Sequence, residues 1–211
     1  MGMLDLPLVI LLFSLVIAII GLAVRAARLL TYPDISDPSP PKASAQRGVV
    51  YSFTGGMLPW KKESAYLHWL AYVRGVVFHL GIFTSIVLLL TSLFVDLRYV
   101  AGIVAFGPTL GLGFLAGVAA IAARLGDRNL RAISRLDDYI SPVLVTLVLL
   151  TGLAFVFHAT SRTVFWVTVS AMCLYLPWSK IPHSVYFFIS RVAFGILFGR
   201  RGVIPVPKKI A

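Results

Sequence analysis

The chain has 211 residues, 59% of them hydrophobic and only 13% charged, with a formal net charge of +11. Soluble domains run at roughly 45–50% apolar and about 25% charged, so this composition excludes an ordinary soluble domain. The basic excess follows membrane sidedness, as its positions below show, and does not call for a nucleic-acid partner.

Five apolar segments follow in chain order, at about residues 6–24, 67–95, 99–123, 139–157 and 164–183. A bilayer crossing takes roughly 20 apolar residues. Backbone groups in lipid must be satisfied within the segment, so each is read as a helix. The first segment has no basic residue before Arg25 and exceeds the apolar run of a signal peptide, so it is read as a span. The second is interrupted by Arg74, and the third is rich in glycine (Gly102, Gly107, Gly111, Gly113, Gly117), which permits close packing on neighbours. The single cysteine, Cys173, lies in the fifth and is read as a packing residue. The expected fold is an all-α polytopic bundle of five transmembrane helices forming one membrane domain.

The lysines and arginines set the orientation. With the N-terminus outside, Arg25, Arg28, Lys42, Arg47, Lys61, Lys62, Arg124, Arg128, Arg131, Arg135, Lys180, Arg191, Arg200, Arg201, Lys208 and Lys209 all face the cytoplasm, where anionic lipids lie. Only Arg98 and Arg162 fall outside, and Arg74 lies within a span. The C-terminal tail, 184–211, is then cytoplasmic. Its run after His183 either prolongs the fifth helix or lies along the inner surface as an amphipathic helix. The cytoplasmic stretch 31–63 carries Pro33, Pro38, Pro40 and Pro41, which exclude one continuous helix through it. Such a long connection is usually functional. Its segment from Gly55 to Lys62 is either a docking surface for a cytoplasmic partner or a surface loop anchored by Trp60.

Chemistry has few carriers. No carboxylate lies deep in a span, since Asp96, Asp137 and Asp138 sit at ends, and no Ser–His–Asp set, Cys pair, phosphate loop or HExxH helix occurs. Hydrolysis and proton pumping through intramembrane acids lack their residues, and a transporter would lack acidic coupling groups and an internal repeat. Four histidines remain: His68, His79, His158 and His183. His79 lies well inside the second span. It is either an axial ligand of a low-spin electron-transfer haem or a packing residue bonded to a neighbouring helix. His68 and His79 are eleven residues apart, nearly one helix face and about 16 Å along the axis. Two stacked haems are conceivable on that spacing, and a bridge from His79 to His158 is strained in depth. Arg74 either compensates a haem propionate or quinone oxygen or snorkels to the inner headgroups.

Three stretches carry a resemblance: Phe78-His79-Leu80-Gly81-Ile82; Arg131-Ala132-Ile133-Ser134-Arg135-Leu136-Asp137-Asp138-Tyr139 with Thr151-Gly152; and Leu176-Pro177-Trp178-Ser179-Lys180-Ile181-Pro182-His183. In order and spacing they resemble the cytochrome b (gamma) subunits of respiratory nitrate reductase. They also resemble the related membrane subunits of heterodisulfide-reductase-like and sulfite-reductase-associated complexes. The resemblance covers about Leu67 to Arg191. It implies two stacked haems b, each held by one histidine of span two and one of span five. The inner pair matches His79 and His183. The outer pair falls on Leu89 and Phe165, so both outer ligands are absent together. The resemblance therefore implies one haem b ligated by His79 and His183, near the cytoplasmic side; Arg74 is the residue from the reading above that would line its cofactor site.

On this reading the chain is a multi-pass subunit in the inner (cytoplasmic) membrane. It moves electrons between membrane quinone and a cytoplasmic iron–sulfur subunit and is not catalytic alone. A quinone site, if displaced from the lost outer haem, is expected near Arg74 or the glycine-rich third span. The alternative is a haem-free membrane anchor of such a complex.

Overall fold

A computed structural model describes residues 5–31, 38–61, 65, 67–95, 100–158 and 161–204. The expectations for Pro33, Lys62, Asp96, Arg98, Lys208 and Lys209 lie outside the described residues. The described residues are helical, with no strand among them. The helices are α1 (Leu6–Leu30), α2 (Ala45–Phe53), α3 (Trp69–Phe94), α4 (Val100–Gly126), α5 (Arg128–Ile133), α6 (Asp137–Phe157), α7 (Arg162–Tyr175) and α8 (His183–Arg200). Short 3-10 turns occupy Gly55–Met57, Pro59–Lys61 and Leu176–Trp178.

Four of these helices, α1, α3, α4 and α6, are long and apolar enough to cross a bilayer. A fifth crossing results if α7 and α8, on either side of the break at residues 179–182, form one broken span. Their apolar side chains are not consumed by the protein's own core. Phe13 is 66% exposed, Phe83 60% and Leu115 60%. Exposed apolar area on that scale marks a surface that faces lipid.

The chain divides into two compact units. The first comprises Met1–Ala23 and Leu70–Ile181. Its core gathers Leu11 and Ala18 from α1, Leu88 and Leu89 from α3, Leu110 from α4, Leu149 and Phe155 from α6, and Phe165, Trp166 and Cys173 from α7. Small residues let these helices approach. A methyl on Gly81 of α3 would come within 2.8 Å of the Cα of Gly113 on α4, so only glycine fits at that crossing. Gly21 of α1 is likewise closed off by the ring of Pro177. Pro108 and Pro142 lie inside α4 and α6, and the Thr146 hydroxyl donates to the Pro142 carbonyl at 2.7 Å. α5 starts on Asp127, whose carboxylate accepts from the backbone N–H groups of Asn129 and Leu130.

The second unit comprises Val24–Trp69 and Pro182–Ala211. Here the stretch expected as a connection contains a helix, α2, begun by Ser44, which caps the N–H of Arg47. α2 crosses α8 through glycine: a methyl on Gly48 would lie 2.6 Å from the Cα of Gly199. The crossing is pinned at both ends. The Ser52 hydroxyl donates to the Arg191 carbonyl at 2.8 Å, and the backbone N–H groups of Lys42 and Ala43 donate to the Arg200 carbonyl. Phe53 stacks on Phe188 and meets Phe187 edge-on. The segment after His183 is therefore helical as expected, and it ends at Gly202, whose φ of 68° suits a residue without a side chain.

Candidate functional site

His79 lies in the middle of α3, exposed on the flank of the first unit. Its Nδ1 lies 2.7 Å from the carbonyl oxygen of Gly75, one turn earlier. A carbonyl only accepts, so Nδ1 carries the proton and donates. In a neutral imidazole the lone pair then sits on Nε2. A metal-ligating histidine is held this way, with the far nitrogen bonded to a backbone carbonyl and the near one directed outward. The edge of Phe78 meets the His79 ring at 6.2 Å between centroids.

Arg74 is half-buried on the same helix. Five residues advance a helix by about 500°, which puts Arg74 some 140° round from His79. Its guanidinium reaches a group beside His79 only by wrapping round the helix flank. Among the described residues Arg74 makes no hydrogen bond and no ion pair.

His183 is the first residue of α8, directly after Pro182, and is exposed. It belongs to the second unit, whereas His79 and Arg74 belong to the first, and each is placed within its own unit. His68 is exposed just before α3, and His158 caps the end of α6 by donating its N–H to the Ala154 carbonyl at 2.8 Å. No cluster of three or more His, Cys, Asp or Glu suited to a metal ion occurs among the described residues. A bis-His haem asks for only two such ligands.

The positions matched to outer haem ligands are packed core. Leu89 is 7% exposed and Phe165 0%. The Phe165 ring stacks on Phe155 at 5.9 Å, and its edge lies against Gly152. Next to it, the Trp166 indole N–H donates to the Ser92 hydroxyl at 3.0 Å, joining α7 directly to α3. Glycine at 152 and the aromatic at 165 act together here, as the space taken by the ring is the space the glycine leaves.

Two of the sequence stretches singled out meet in the first unit. Asp137 accepts from the Tyr175 hydroxyl, from the Ser141 hydroxyl at 3.1 Å and from the backbone N–H of Lys180 at 2.8 Å. The Lys180 ammonium lies 2.8 Å from both carboxylate oxygens of Asp138. Asp138 also accepts from the Arg135 N–H. The carboxylates at the start of α6 thus fix the chain as it leaves α7, three residues before His183. The sequence points to these aspartates but not to their pairing with Tyr175 and Lys180, which lie 38 to 43 residues away with no periodic signal.

Gly75, whose carbonyl holds His79 Nδ1, is the neighbour that sequence reasoning passes over. Its signal is a glycine one turn before an intramembrane histidine. No protein family, curated protein or solved structure matches this chain. Its fold defines a class only: among the described residues it is helical without strands, with four to five helices of membrane-spanning length and composition.

Proposed function

We propose that this chain is a multi-pass cytochrome b subunit of a respiratory redox complex. It transfers electrons between membrane quinone or quinol and a cytoplasmic iron–sulfur partner through one haem b ligated by His79 and His183. Its N-terminus is outside and its C-terminus in the cytoplasm, as the basic residues distribute. The observation that carries the reading is the Nδ1 bond of His79 to the Gly75 carbonyl on an apolar helix of bilayer length. A proton on Nδ1 leaves the imidazole lone pair on Nε2, an arrangement that supports ligation of iron by His79.

Haem, when bound, supplies the one-electron chemistry. The chain's residues supply the rest. His79 and His183 hold it, the Gly75 carbonyl sets the His79 tautomer, and Arg74 offers a positive charge to a propionate or quinone oxygen. Packed Leu89 and Phe165 are consistent with one haem and not two.

The test is haem content and the reduced-minus-oxidised spectrum of the purified protein, alone and in its complex. The expected result is one haem b per chain, lost in both His79→Ala and His183→Ala and retained in His68→Ala and His158→Ala. A haem-free wild type would sink the reading and leave the membrane anchor. Two haems would mean that further ligands exist.

A further inference from the structure

A glycine in a helix interior costs about 1 kcal/mol relative to alanine, so each one asks for a reason. For Gly81, Gly113, Gly117 and Gly152 of the first unit the reason is packing: an added methyl would press on a neighbouring helix or side chain. Gly75 stands in open space, as Gly111 of α4 also does: a methyl there meets nothing within 4 Å. Packing does not account for it, yet its carbonyl is the acceptor for His79 Nδ1 at 2.7 Å. Side chains on a helix lean toward its N-terminus over the preceding turn. The His79 ring accordingly lies over the turn that Gly75 occupies.

We infer that Gly75 is a positioning residue for the haem that His79 holds, a statement that rests on the proposed function above. It works in two ways. Its carbonyl fixes the ring's tautomer and tilt. Its missing side chain keeps the helix surface flat beside the imidazole. A macrocycle held at Nε2 would need open helix surface beside the imidazole. On the ligand's own helix, the residues one turn away are the first that it meets. A side chain at residue 75 would stand on that surface, in space the protein leaves open.

Gly111 of α4 supplies the matched control. A methyl there also meets nothing within 4 Å, and α4 carries no histidine. The experiment compares Gly75→Ala and Gly75→Leu with Gly111→Ala and Gly111→Leu in the purified full chain. It reads haemin affinity of the apoprotein, the midpoint potential, the reduced-minus-oxidised spectrum and the melting temperature without haem. Gly75→Ala keeps the carbonyl and adds a methyl beside the imidazole, and is expected to bind haem about tenfold more weakly, the scale of overpacking by one methyl, with a shifted potential. Gly75→Leu is expected to bind none. Neither should melt lower than wild type without haem, and both Gly111 variants should bind as wild type does. Wild-type affinity and potential in both Gly75 variants, in a chain whose His79→Ala form loses haem, would overturn the inference and leave the function intact. A lowered melting temperature in haem-free Gly75→Ala would also overturn it, by making Gly75 a packing residue. A wild type that binds no haem would overturn the function itself and this inference with it.

Discussion

The Tyr175 hydroxyl, on the last residue of α7, donates to the carboxylate of Asp137 in the first turn of α6. The same carboxylate holds the backbone of Lys180, so one side chain joins two helix ends and the segment that follows them. Its neighbour Asp138 makes an ion pair with Lys180. The two aspartates differ in what depends on them. Lys180 is 54% exposed, and an exposed pair of this kind contributes little.

The first prediction separates them. Asp137→Ala leaves the Tyr175 hydroxyl and the Lys180 N–H without their acceptor and should cost about 2–3 kcal/mol, the usual scale for stranded donors. Tyr175→Phe removes one bond of the set and should cost about 1 kcal/mol. Lys180→Ala should cost no more than about 1 kcal/mol. Thermal unfolding of the three variants in one detergent checks the order. Equal shifts for Asp137→Ala and Lys180→Ala would show that the ion pair, not Asp137, fastens the segment.

The second prediction concerns the crossing of α3 and α4. Gly81→Ala places a methyl 2.8 Å from the Cα of Gly113, and backbone cannot move aside as a side chain can. Overpacking of this kind costs about 1–3 kcal/mol. Gly111→Ala, on the same helix pair but with open space, should be neutral or raise stability by up to about 1 kcal/mol, since alanine favours helix. Melting temperatures of the two variants should move in opposite directions or differ clearly. A Gly81→Ala protein as stable as wild type would mean that the helices separate at little cost.

How much of this was legible in the sequence varies by element. Four of the five expected spans were, because lipid imposes a length and a composition that survive without any knowledge of neighbours; the fifth stands only if α7 and α8 form one broken span. The expected 67–95 and 139–157 correspond to α3 and α6 within a few residues. α1 runs on to Leu30, past Arg25 and Arg28, since a helix need not end where its apolar run does. α2 was not legible: nine residues of mixed polarity inside a proline-bearing stretch give no span signal. Its stability comes from Gly48 against Gly195 and Gly199, a match between residues nearly 150 positions apart. The break at residues 179–182 was half-legible. Pro177 and Pro182 announce it, but only the structure gives α8 as a separate helix beginning on His183. For the candidate site, depth singled out His79, whereas its acceptor Gly75 carries no side-chain chemistry to notice.

The third prediction tests the contact between α3 and α7. Ser92 donates to the Leu89 carbonyl and accepts from the Trp166 indole, and both side chains are buried. Ser92→Ala strands the indole N–H and should cost about 1–3 kcal/mol. Trp166→Phe also loses the bond, along with part of the ring's packing. The double variant should cost less than the sum of the two by about 1 kcal/mol, because the bond can be lost only once. Strict additivity in thermal or denaturant unfolding would show that the 3.0 Å contact carries no energy.

The fourth prediction asks whether the outer ligand positions are empty or filled. If the second haem were missing only for want of histidines, restoring them would restore it. The packing argues otherwise. Phe165 is fully buried against Phe155 and Gly152, and Trp166 bonds directly to Ser92 across the gap that a macrocycle would need. Leu89→His with Phe165→His should therefore add no haem to the wild-type content. It should also lower stability by about 3–5 kcal/mol, as loss of a buried aromatic does, with the cost of burying two imidazoles added. The measurements are haem per chain by pyridine haemochrome and the melting temperature of the same preparation. An extra haem per chain would show that α3 and α7 part readily and that the close-packed core at this level is not what excludes it.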